Sequence, residues 1–188
     1  MGPTGIWYQT VEFGDYRVFI TFPCSVVGID PSEGMLSIGR NKVANAGFDA
    51  SVVRLLLGDA QDLAPTLPDG AVFDAATMAF AIRNVPDRGR ALAQLAARLW
   101  PGGRLAILEL QPPSFAPARW FVRYAVPALG ALTSGGAWRE YQHLERSVLA
   151  FDGEQLVALL RAAGLEVRST ETMNFGSVGL YLAVKPEQ

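Results

Sequence analysis

The chain has 188 residues, half of them apolar, and a formal net charge of −2. That length suits one domain with a real core, while the charge and the lack of any Lys/Arg run exclude a basic nucleic-acid binder. A single cysteine, Cys24, and a single histidine, His143, exclude an intramolecular disulfide and argue against a metal centre.

In sequence order, the first 25 residues carry no helix pattern. Ile6 to Phe13 and Tyr16 to Phe22 flank Gly14-Asp15, which predicts a β-hairpin with Gly first in a two-residue type II′ turn. Val26 to Ile29 is a short apolar run ending at Asp30 and reads as a buried strand. Ser32 is a suitable N-cap for a helix on which Met35, Ile38 and Val43 follow helical spacing up to Gly47. Val52 to Leu57 predicts a second strand, ended by Gly58-Asp59. After a loop marked by Pro65, Pro68 and Gly70, Val72 to Met78 predicts a third. Asp87 can cap the next helix, with Ala91, Leu92, Leu95 and Leu99 on one face and Pro101-Gly102-Gly103 as its stop. Arg104 to Leu110 is the fourth strand. Phe115 to Thr133 reads as helical pieces broken by Pro127. Gly153 to Ala163 predicts a helix ended by Gly164, and Leu165 to Ser169 and Val178 to Val184 predict closing strands.

Strands alternating with helices at this spacing predict an α/β fold with a mostly parallel sheet. Ligands of such sheets sit outside the carboxyl ends of the strands. Asp30, Asp59 with Ala60, and Arg83 with Asn84 all fall there. A carboxylate at the first position can accept both hydroxyls of a ribose, and one at the second can accept an adenine amine. Each Asp is equally an ordinary turn former or helix cap, and Arg83 an ordinary surface or ion-paired group.

The ordered strings VVGIDPSEGML, LLLGDAQDL, FDAATMAFAIRNVPD, LWPGGRLAILEL and FDGEQLVALLRAAGLEV resemble the ubiquinone/menaquinone biosynthesis C-methyltransferase family. The likeness runs from about Val26 to Pro186. It implies a Rossmann-like class I methyltransferase sheet, parallel except for an antiparallel C-terminal strand, over residues 26–188. The implied cofactor is S-adenosyl-L-methionine and the implied substrate a polyprenylated benzoquinol or naphthoquinol. By position, Asp30 would bind the cofactor ribose, Asp59 and Ala60 the adenine edge, and Ala79 would line the cofactor wall. Arg83 matches an Arg proposed to help deprotonate the quinol, and Tyr141 and His143 match two aromatic positions over the substrate pocket. Phe115, Trp120, Phe121 and Tyr124 would line an entrance for the isoprenoid tail, rest on a membrane interface, or form a lid helix packed on the core. The resemblance also allows a homodimer or a quinone-synthesis complex, and no nucleic-acid partner. It places the protein in the cytoplasm at the inner membrane face in a bacterium, or at the matrix side of the mitochondrial inner membrane in a eukaryote.

That family opens its fold with a strand and a Gly-rich turn, Asp-x-Ala-x-Gly-x-Gly, and residues 1–25 hold the hairpin pattern instead. Tyr16 to Phe22 cannot take the missing parallel slot. Only Pro23, Cys24 and Ser25 separate it from Val26, and a parallel crossover needs about a dozen residues or more. The expectation is weak cofactor binding and little turnover for the chain as written. The rival readings are a non-catalytic binding or scaffold subunit, and a methyltransferase for another small molecule.

Overall fold

The computed structural model describes residues 8–13, 16–21, 25–117 and 146–187, the first two stretches by their backbone alone. The protein divides into two compact units, Met1–Leu67 and Pro68–Gln188.

In the first unit, β1 (Tyr8–Phe13) and β2 (Tyr16–Thr21) pair antiparallel with Phe13 opposite Tyr16, as the hairpin pattern predicts. Next, β3 (Val26–Asp30) and β4 (Val53–Leu57) pair in parallel, with Val26 opposite Val53 and Asp30 opposite Leu57. Helix α1 (Glu33–Asn45) makes the crossover, and its N-cap Ser32 hydroxyl accepts the Met35 N–H. The inward stripe of α1 is Leu36 and Val43, while Met35 and Ile38 are 59% and 53% exposed. Helical spacing identifies stripes of apolar residues but not which stripe meets the sheet. Val43 and Phe48 form the small core here, packed by Ala46, Val52, Val53 and Leu55.

The second unit is a four-stranded sheet in the order β5-β6-β8-β7, formed by β5 (Phe73–Ala79), β6 (Leu99–Leu110), β7 (Glu166–Met173) and β8 (Val178–Val184). β5 and β6 are parallel, and β8 runs antiparallel to both β6 and β7. β8 is thus the one reversed strand of this sheet, as in class I methyltransferases. Helices α2 (Arg88–Ala97) and α3 (Gly153–Ala162) begin at carboxylate caps, Asp87 and Asp152, each accepting backbone N–H groups of the first turn. Leu92, Leu99, Leu105, Ile107, Leu156, Leu160 and Leu165 share one buried core with Tyr181 and Ala183.

Two boundaries differ from the sequence reading. α2 ends at Ala97, before Pro101-Gly102-Gly103, and Leu99 already belongs to β6. The Phe73 N–H donates to the Arg98 carbonyl, so pairing with β5 starts there, and the register shifts between Phe73 and Ala75. Gly102, at φ +78°, lets the strand continue through this irregularity and pair with Lys185. The Lys185 ammonium then donates to the carbonyls of Ala96 and Leu99, closing the helix end. β7 also runs on to Met173, past Ser169.

Among the described residues the ladders form three sheets, two in the first unit and one in the second. The helical reading of Phe115 to Thr133 falls largely outside the described residues.

Candidate functional site

Within the first unit, the carboxyl ends of β3 and β4 lie side by side, and the Gly58 N–H donates to the Asp30 carbonyl at 3.2 Å. Asp30, Asp59 and Ala60 are therefore gathered at one end of the strand pair. The Asp30 carboxylate is anchored by the Ser32 N–H at 2.7 Å through Oδ1. Asp59 accepts the Gln61 N–H at 2.8 Å through Oδ1 and the Gln61 amide at 3.0 Å through Oδ2. Both carboxylates thus act as turn formers, and the turn bonds fix where their remaining lone pairs point. This donor-poor, acceptor-rich pair fits the hydroxyls of a ribose and the amine of an adenine, all of which donate. The two side chains suit the adenosine end of S-adenosylmethionine.

Within the second unit, the carboxyl end of β5 turns sharply. Ala79 is exposed, and Phe80 follows at φ +55°, a left-handed value uncommon outside glycine. A 3-10 turn, Ile82–Asn84, comes next, anchored by the fully buried Ile82. Arg83 faces Glu109, the penultimate residue of β6. Glu109 Oε2 accepts the Arg83 backbone N–H at 3.0 Å, and Oε1 accepts Arg83 Nη1 at 2.6 Å. Nη1 also donates to the Phe80 carbonyl at 2.8 Å. The Glu109 side chain is 0% exposed and that of Arg83 only 10%. Arg88 donates to the Arg83 carbonyl at 2.9 Å and lies over the Phe151 ring. Arg83, Asn84, Arg88, Ser147 and Gln155 line an open cleft of about 740 Å³.

Glu109 is absent from the site as read in sequence. Its signal was present: Leu105, Ile107 and Glu109 are the inward row of β6, and a carboxylate there breaks an apolar alternation. A second cleft, of about 650 Å³, includes Gln111, Asp152 and Tyr181. The Tyr181 hydroxyl donates to Gln111 at 2.6 Å, and burial, then Asp152 and Glu109, push its pKa above the ordinary phenol value. Phe175, 81% exposed at φ +57°, has its carbonyl bound by Ser114, next to the exposed Phe115. Tyr141 and His143 lie outside the described residues. Among the described residues no cluster of three or more metal-binding side chains occurs, and no helix is long and apolar enough to cross a membrane.

Residues 9–185 match the model of the ubiE/COQ5 methyltransferase family. A demethylmenaquinone methyltransferase of Thermus thermophilus is 42% identical over 166 residues, which are 86% of this chain and 72% of that protein. Its counterpart in Bacillus cereus is 34% identical over 167 residues, 86% of this chain and 68% of that protein. Among solved structures, the 4+2 cyclase SpnF superposes with a TM-score of 0.63 at 19% identity, covering 87% of this chain and 67% of that one. An S-adenosylmethionine-dependent methyltransferase of Clostridium acetobutylicum superposes at 0.60 with 12% identity, covering 88% and 76%. These structural likenesses show the fold, which hosts more than one chemistry. Sequence, family model and sheet topology agree: the chain belongs to the ubiE/COQ5 methyltransferase family and is an S-adenosylmethionine-dependent class I methyltransferase.

Proposed function

We propose that this protein methylates a ring carbon of a polyprenylated quinol, with the naphthoquinol form of demethylmenaquinone as the substrate. The observation that carries this reading is positional: Asp30, Asp59 and Arg83 each stand at the carboxyl end of a parallel strand, within a matched family. The choice of a naphthoquinol ring over a benzoquinol follows the names of the relatives from Thermus and Bacillus.

S-adenosylmethionine, when bound, supplies an electrophilic methyl group. Asp30 accepts the ribose hydroxyls, Asp59 the adenine amine, and Ala60 and Ala79 line the cofactor. The quinol becomes a carbon nucleophile once its phenolic proton has left to solvent. At neutral pH an arginine donates and does not accept protons, so Arg83 favours the phenolate by its N–H groups or through a held water. Tyr141 and His143 are assigned to the substrate pocket by family position. The exposed Phe115 and Phe175 give the second unit an aromatic edge suited to a bilayer surface, where the polyprenyl tail resides. That edge supports a location at the cytoplasmic face of the membrane.

The test is methyl transfer from millimolar S-adenosylmethionine to short-tailed demethylmenaquinol and demethylbenzoquinol, scored by product mass. In a version whose residues 1–25 are replaced by the family's strand and Gly-rich turn, naphthoquinol product, reduced by Arg83→Lys at nearly unchanged cofactor affinity, is the expected result, with little product from the chain as written. Lys keeps the charge but loses the planar fork. No product with either quinol would favour a non-catalytic scaffold subunit, and a loss of cofactor binding in Arg83→Lys would remove Arg83 from the chemical step.

A further inference from the structure

We propose that Glu109 is a positioning residue for the methyl transfer, holding Arg83 in a single conformation and acting only through it. The proposal rests on the reading of Arg83 given above. Glu109 is fully buried, so it is in no position to touch a substrate.

Its grip on Arg83 is double. One carboxylate oxygen accepts the backbone N–H of Arg83 and the other its guanidinium Nη1. Backbone and side chain of the same residue are therefore fixed by the same group, and the Leu110 N–H, donating to Oε1 at 2.8 Å, fixes that group in turn. Nη1 also donates to the carbonyl of Phe80, which has a left-handed backbone at φ +55°. Arg83 Nε is buried with no hydrogen-bond partner among the described residues.

Core stability does not require this arrangement. The inward row of β6 is otherwise apolar, and a buried ion pair is often replaced by packed apolar side chains with no loss of stability. Such a pair does impose one geometry on the turn that follows β5. That is what a group acting on a developing phenolate needs, since a misplacement of about 1 Å can cost on the order of a hundredfold in rate.

The experiment uses the full chain. Side-chain NMR of 15N-arginine-labelled protein should show Arg83 guanidinium protons in restricted rotation, and Glu109→Gln should release them, with amide shifts centred on residues 80–84 and 110. Arg83 signals unchanged by Glu109→Gln would overturn the proposal. In the methylation assay, Glu109→Gln should lower kcat about tenfold or more while the quinol KM stays within about threefold. Glu109→Met leaves the Arg83 charge buried without its partner and should lower the melting temperature. The double variant Arg83→Met/Glu109→Met should regain that stability and not regain turnover. Recovery of both would mean that the pair serves the fold alone, and the proposal would fall. Failure of the Arg83 reading is separate: there Arg83→Lys keeps full turnover, whatever the NMR shows about Glu109.

Discussion

The unit that carries Arg83 and the unit that carries Asp30 and Asp59 are built to different depths. The Arg83 unit has a four-stranded sheet whose central strands, β6 and β8, are paired on both edges, over a core with many fully buried residues. Among the described residues, the unit of the two aspartates has two two-stranded ladders and a core centred on Val43 and Phe48. Val26 and Leu57, at opposite ends of the β3–β4 pair, remain exposed, as do Met35 and Ile38 on α1. Among the described residues, the unit that carries Arg83 is thus firmly packed and the unit that carries Asp30 and Asp59 thinly packed. Local stability follows buried apolar contacts, so the two units should open separately.

The largest effects expected from this contrast are in stability. Leu160→Ala, at a fully buried site, should destabilise the Arg83 unit by about 2–5 kcal/mol. Val43→Ala should cost the other unit only about 1.5 kcal/mol, from roughly two buried methyl groups. Urea unfolding followed by hydrogen exchange in each unit checks both, and equal losses would abolish the contrast. Next in size is a chimera in which residues 1–25 are replaced by a family strand and Gly-rich turn. Two or three added backbone hydrogen bonds at about 1–1.5 kcal/mol each should tighten S-adenosylmethionine binding by about two to three decades in calorimetry. An unchanged dissociation constant would mean that the hairpin already supplies that wall.

Smaller again is the contrast between the two carboxylates. Asp30→Ala should weaken cofactor binding about tenfold or more, because charge-assisted hydrogen bonds to the ribose are worth about 1.5–3 kcal/mol each. Asp59→Ala should weaken it less, since an adenine amine near the surface can turn to water. Equal losses in parallel titrations would reassign the two roles.

Much of this was legible in the sequence, and the exceptions share a physical cause. Ser32 and Asp87 declared themselves as caps because capping is local, within three residues. Asp30 and Asp59 stood out because each stands at the end of an apolar strand run, Asp59 one glycine beyond it. The reversed β8 came with the family resemblance. What stayed hidden depends on tertiary pairing. Which stripe of α1 packs is decided by the strands beneath it. The early start of β6 is decided by Phe73, far upstream on the neighbouring strand. The partner of Arg83 is 26 residues away across the β5–β6 ladder, and no local pattern links the two. Pro101-Gly102-Gly103 looked like a helix stop because its turn chemistry is the same whether it ends a helix or kinks a strand.

On the function proposed above, the adenosine end of S-adenosylmethionine is held by the thinly packed β3–α1–β4 unit. Amide hydrogen exchange of this 188-residue chain, with and without several millimolar S-adenosylmethionine, tests it most directly. Without cofactor, β6, β8 and α3 should be strongly protected and β3, α1 and β4 weakly so. With cofactor, protection should rise in β3, α1 and β4, because a ligand stabilises the state that binds it. Protection already uniform in the free protein, or a cofactor effect confined to β5–β8, would contradict it.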